Sequence, residues 1–110
     1  MIIPIVNPTP PFLRAKVTLD DVEYYVIVRW NARSGWYVGL TALDGTVLFP
    51  PRYAAEGVNL LEGVTSDLRP LGVMFLLDVS FLHREADFDS LGRTHYLYFL
   101  TTEEVLALTA

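Results

Sequence analysis

Hydrophobic residues recur along this chain with the two-residue period of extended strands, and they do so most densely between Val22 and Leu43. Val22, Tyr24, Val26, Val28 and Trp30 point one way, while Tyr25 and Ile27, between Glu23 and Arg29, point the other. A polar stretch, Asn31 to Gly35, interrupts the run with a glycine where positive φ is easy, and Trp36 to Leu43 resumes it. The pattern predicts a β-hairpin. Because both faces carry apolar side chains, the hairpin is expected to be covered on both sides.

The same periodicity extends outward from this hairpin. Phe12 to Leu19 predicts a preceding strand with Leu13, Ala15, Val17 and Leu19 inward and Arg14, Lys16 and Thr18 outward. Asp20 and Asp21 form the turn into the hairpin. Asp44 and Gly45 predict the next turn, and Thr46 to Phe49 a short fourth strand ended by Pro50 and Pro51. From Pro50 to Gly72 the period is lost to prolines and glycines, with Val58 to Leu61 as one short strand candidate within an irregular crossover. A connection of that length is usually functional or covers something. Val73 to Phe81 and Thr94 to Thr101 are two further apolar strands, separated by a charged loop, Leu82 to Gly92. Thr102 is placed as the cap of a two-turn helix through Ala107, with Glu103 and Glu104 in its first turn.

The expected fold is therefore mostly β, an antiparallel meander forming a small barrel or sandwich, with a short C-terminal helix. Residues 1–11 are expected to form an extended arm and residues 12–110 a single β-rich domain. Pro4, Pro8, Pro10 and Pro11 hold the arm extended. Its Ile2, Ile3, Ile5 and Val6 suggest that it docks on this chain or on another subunit.

Composition narrows the function. With 110 residues, of which 52% are hydrophobic, the chain has more apolar surface than a free-standing domain of its size readily hides, so contact with other subunits is expected. Thirteen acidic against eight basic residues give a net charge of −5, and no basic stripe is present, which argues against direct nucleic-acid binding. No apolar run approaches the ~20 residues of a spanning helix, and the start of the chain lacks the basic region of a signal peptide. A cytosolic origin is the expectation. Cysteine is absent, which excludes disulfides and thiolate chemistry.

Titratable residues gather in one place: His83, Arg84, Glu85, Asp87, Asp89, Arg93 and His95. As a calcium loop, Asp87, Asp89 and Gly92 fit the first, third and sixth positions, but Leu91 holds the fifth and Tyr98 the twelfth, where a carboxylate is required. His83 and His95 match no zinc or iron spacing. Asp78, on an otherwise apolar strand, needs partners if buried; Arg29, Arg93 and amides of the following loop are the candidates. Its expected role is to tie that loop to the sheet. Trp30, Trp36, Tyr24, Tyr25, Tyr37, Tyr96 and Tyr98 suit either a ligand surface or core and subunit contacts, and their strand spacing favours the latter. No nucleophile elbow, phosphate loop or dinucleotide fingerprint is present. No residue is assigned a catalytic, cofactor-binding or metal role, and neither a cofactor nor a small-molecule substrate is expected.

Three short motifs carry a family likeness: Arg29, Trp30 and Asn31 ahead of the hairpin loop; Asp78, Val79 and Ser80 after an apolar strand; and Asp89, Ser90, Leu91 and Gly92 ahead of Tyr96 to Leu100. In that order, with the proline-bearing arm in front, the chain resembles the small baseplate plug family of tailed bacteriophages over nearly its whole length. The resemblance implies a non-enzymatic virion component near the junction of tail tube and central hub, in contact with other tail or baseplate proteins and with copies of itself. The competing expectation is a small β-module that binds a ligand or carbohydrate through aromatic side chains. A concave, solvent-open aromatic patch distinguishes it.

Overall fold

The computed structural model describes residues 1–5, 9–65 and 69–109. Four strands form an antiparallel meander in the order β1 (Phe12–Leu19), β2 (Val22–Asn31), β3 (Gly35–Ala42) and β4 (Val47–Tyr53). A second antiparallel sheet pairs β5 (Gly72–Asp78) with β6 (His95–Thr101), and α1 (Thr102–Thr109) follows directly. Mostly β content, the meander and the C-terminal helix agree with the sequence reading. Among the described residues no ladder joins the two sheets, so the expected barrel or sandwich is met only as two antiparallel sheets that share one apolar core.

Alternation sets that core. Val17 and Leu19 of β1, Tyr24, Val26 and Val28 of β2, and Trp36, Val38 and Leu40 of β3 are buried, and they meet Met74, Leu76, Leu97 and Phe99 of the second sheet. The outward phase of β1 is as expected. The other face of the central hairpin departs from expectation: Tyr25, Ile27 and Tyr37 are only half-buried and Arg29 is exposed. Among the described residues no second layer closes over that face.

Turn chemistry fixes the registers. Leu19 pairs with Val22, so Asp20 and Asp21 make a two-residue loop in which both have positive φ, 53° and 64°. This is the I′ arrangement whose twist suits a hairpin, and it favours Asn-Gly over Asp-Asp. Replacing the pair by Asp20→Asn and Asp21→Gly is expected to stabilise the fold by about 1 kcal/mol, read as a higher urea midpoint. At the central loop the Asn31 carboxamide oxygen accepts from the amides of Arg33 (2.9 Å) and Ser34 (3.3 Å), and Gly35 takes φ 117°.

Strand β4 corrects the expectation that Pro50 and Pro51 end it, because it runs through both to Tyr53. It lies at the sheet edge, and Leu40 pairs with Phe49 while Val38 pairs with Arg52, which leaves a bulge at the prolines. Edge position and bulge together excuse the missing amides. Gly39 makes the space: a Cβ there would stand 2.8 Å from the Pro51 nitrogen.

Val58 to Leu61 is a turn, not the short strand expected. Leu60 and Leu61 fill the core, and the Asn59 side chain substitutes for a strand by accepting from the Leu61 amide (3.0 Å) and the Met74 amide (3.1 Å). Arg69 collects carbonyls of Leu61, Val64, Pro70 and Gly72, and Arg52 those of Leu60 and Glu62, so this irregular backbone stays satisfied. Backbone bonds from Gly57 to Leu76 and from Leu60 to Met74 close the free edge of β5.

The opposite edge, at β6, is closed by the N-terminal residues. Ile3 donates to Leu97 (2.7 Å), Phe99 donates to Met1 (2.9 Å), and Ile3 is buried in the core. The first residues of the arm therefore dock on this chain; Val6 and Pro8 lie outside the described residues. At the other end the helix cap is Thr101, one residue earlier than expected. Its Oγ1 accepts from the Glu104 amide (3.2 Å) and its own amide donates to Glu104 Oε1 (3.0 Å), a reciprocal capping box.

Candidate functional site

The conspicuous polar construction lies where β5 ends. Asp78 is completely excluded from solvent on the core-facing side of the strand. Its Oδ1 accepts from the Ser80 amide (2.9 Å) and the Ser80 hydroxyl (2.6 Å), and its Oδ2 from the Arg84 amide and Arg84 Nε (both 3.2 Å). Those bonds stop the strand at Asp78 and turn Val79 to Phe81, which corrects the expectation that the strand continues to Phe81. The Ser80 hydroxyl does most to hold the Asp78 carboxyl well below the usual carboxylate range. Burial pushes the other way, and the Ser80 and Arg84 amides and the Arg84 guanidinium add to the lowering.

A second carboxylate sits beside it. Glu56, from the crossover, accepts from the Asp78 amide through Oε2 (3.0 Å) and faces His83 Nδ1 through Oε1 (3.0 Å). The Asp78 amide holds its carboxyl low, against burial and with help from His83. His95 is buried on β6. Its Nε2 lies 2.7 Å from the Arg84 carbonyl, which can only accept, so in the neutral ring Nε2 carries the proton and Nδ1 accepts from the Thr94 hydroxyl (3.0 Å). Glu85 accepts from the Tyr53 hydroxyl (3.0 Å) and the Glu56 amide (3.2 Å). Burial, then the Glu85 carboxylate, push the Tyr53 hydroxyl up.

Of the titratable group predicted from sequence, His83, Arg84 and His95 thus converge on the Asp78 and Glu56 carboxylates. Asp87 contributes its backbone: Trp36 Nε1 donates to its carbonyl (2.8 Å), and Phe88 stacks on Trp30 with ring centres 5.3 Å apart. This clasp docks the loop on the central hairpin. Of the partners expected for Asp78, the amides of the following loop are found, from Ser80 and Arg84, whereas Arg29 and Arg93 are both exposed and the guanidinium that reaches it is that of Arg84, six residues along the same loop. Among the described residues no group of three or more ligating side chains is placed to hold a metal ion.

Both oxygens of Asp78 are fully occupied, so its chemistry here is structural: it fixes the path of residues 79–84. The expected role of tying the loop to the sheet is the one its bonds describe. Glu56 went unnoticed in the sequence because it lies in an irregular segment with no period to mark it as inward.

Outside the core, two sheet faces remain half-open. On the second sheet Val73, Phe75, Leu77, Tyr96, Tyr98 and Leu100 share a face without a charged side chain, with Phe75 stacked on Tyr98 at 5.6 Å. On the meander, Tyr25 and Tyr37 share the outer face with Arg14, Lys16 and Arg29, and the Arg14 guanidinium lies 4.5 Å from the Tyr25 ring centre. Tyr24 and Trp36 are internal. Neither of two clefts lined by described residues includes a tyrosine or tryptophan, which is not the arrangement a carbohydrate-binding module needs.

A family model described as the cyanophage baseplate Pam3 plug gp18 matches residues 1–103. The chain belongs to this baseplate plug family. The match covers both sheets, the N-terminal residues and the Asp78 turn, and stops at the second residue of α1. No curated protein matches the chain significantly. For a baseplate plug family member, half-open apolar faces and a loop held by buried carboxylates are surfaces to be judged as contacts with neighbours. No helix among the described residues is long and apolar enough to cross a membrane.

Proposed function

We propose that this chain is a structural subunit of a phage tail baseplate that helps close or organise the junction between tail tube and central hub, in contact with other baseplate proteins and with copies of itself. The observation that carries the reading is the plug-family match over residues 1–103. The uncharged outer face of β5 and β6 and the aromatic outer face of the meander support it, because they leave apolar area for neighbours to cover. Packed across their shared core, the two sheets are read as a small sandwich. The chain is made in the host cytoplasm and ends in the virion.

The test is where the chain resides. Purified tails analysed by mass spectrometry and cryo-electron microscopy are expected to contain it at the tube end that meets the hub, in a number set by the baseplate symmetry. Its absence from purified virions would overturn the assignment.

A further inference from the structure

Residues 79–84 combine a firmly held turn with two features that folding of the isolated chain does not call for. The turn is fixed by the buried Asp78 carboxylate, by the Phe81 amide bonded to the Asp78 carbonyl (3.0 Å), and by Glu56 facing His83. Its backbone is left-handed at two side-chain-bearing residues, Phe81 (φ 62°) and His83 (φ 54°), where glycine would be at ease. And its two most exposed apolar side chains are adjacent at the tip: Phe81 is 74% and Leu82 66% exposed, ahead of the exposed His83 and Arg84. A phenyl ring in a strained conformation, aimed at water and held by two buried carboxylates, does nothing for the core.

We infer that the Phe81 and Leu82 tip is a preformed anchor that seats in an apolar socket on a different baseplate subunit. The inference rests on the baseplate reading above and names the contact that reading leaves unspecified. Magnitude limits the form of the contact. The two side chains offer roughly 250 Å² of apolar area, against about 800 Å² per partner in a stable free-standing complex. The tip is therefore the central hot spot of a wider contact and not a self-sufficient dimer surface. The occupant is uncharged. The tip's basic residues, His83 and Arg84, already face Glu56 and Asp78, so no free charge asks for a counterpart. A second copy does not supply the socket from its two described clefts. One is formed by Arg84, Asp87, Asp89 and Arg93 with their neighbours, the other includes Asp20, Asp21 and Glu103, and a phenyl ring in either would desolvate charge.

Phe81→Gly separates docking from folding, because glycine relieves the left-handed strain and removes exposed apolar surface. Wild-type and variant chains are expressed together in equal amounts during infection, and their ratio in purified tails is measured by mass spectrometry. Phe81→Gly and Leu82→Ser are expected to be depleted about 30-fold or more, with thermal midpoints equal to or above wild type. Val47→Thr, which alters an exposed apolar residue elsewhere, is expected near parity. A benzophenone side chain at position 81 is expected to crosslink in assembled tails to a chain of different identity. Parity of the tip variants, depletion of Val47→Thr to the same degree, no crosslink, or a crosslink to a second copy each overturns the inference. Wild-type chain missing from tails is a separate result that removes the baseplate reading itself.

Discussion

Gly72→Ala is expected to part β5 from β6 at one end of the second sheet and to lower the chain's stability sharply. Gly72 opens β5 at φ 143°, and a Cβ added there would fall within the space of the Leu100 carbonyl oxygen on β6, with the Thr101 Cα close behind. The obstacle is backbone, which cannot step aside as a flexible side chain would. Only separation of the strands at this end relieves it, and that breaks the Gly72 to Thr101 and Val73 to Leu100 pairs and loosens the Arg69 bond to the Gly72 carbonyl. Adding the strain of a side chain at this φ, the loss is about 4 kcal/mol. For a domain of this size that is a fall of some 15 °C or more in thermal midpoint. A midpoint within about 3 °C of wild type would mean that the β5 and β6 pairing at Gly72 is not as described.

Asp78→Asn is the second large effect, and it carries a pH signature. The amide of asparagine keeps one accepting oxygen but turns a donor towards the Arg84 amide and Nε, two donors facing a donor. A drop of about 10 °C in midpoint at pH 7 is expected. In the wild type, Asp78 and Glu56 are both held lower in the folded chain than in the unfolded one. Their stabilisation is therefore fully present above the ordinary carboxylate range, from about pH 5 upward, and is lost as pH falls below it and towards the folded values. The gap between wild type and Asp78→Asn should be widest at neutral pH and narrow towards pH 3. A gap constant between pH 7 and pH 3 would remove the carboxylate as its cause. The variant also releases the turn that holds Phe81, so it is expected to incorporate poorly into tails even at temperatures where it is folded.

Much of this fold was legible because local chemistry and alternation agree. Leu13, Ala15, Val17 and Leu19 sit inward as their spacing requires, and the Asp20 and Asp44 turns fall where expected. Disagreement arose where one side chain outranked the pattern. Asp78 ends a strand whose apolar alternation runs on through Phe81, since capturing the Ser80 and Arg84 amides satisfies a buried carboxylate at short range, without the distant Arg29 or Arg93. Pro50 and Pro51 read as a strand end because nothing in their own neighbourhood reveals that β4 is an edge strand and that Gly39 yields space to it. Thr101 and Thr102 compete for the helix cap, and the spacing of Thr101 to Glu104 decides between them. Of the site, the clustering of His83, Arg84 and His95 was visible in the sequence. The Glu56 contribution depends on a crossover whose path is set by tertiary contacts from Asn59, Arg52 and Arg69.

The closed edges of the small sheet bear on how such a subunit can polymerise. Residues 1–3 occupy the ladder along β6, residues 56–60 occupy that along β5, and the meander ends at β4 in adjacent prolines. At these three borders a neighbouring polypeptide has little main chain left to hydrogen-bond. Recruitment there must proceed by shape and side-chain fit, and main-chain pairing with another polypeptide is left to the outer edge of β1, where Arg14 and Lys16 stand among the exposed side chains.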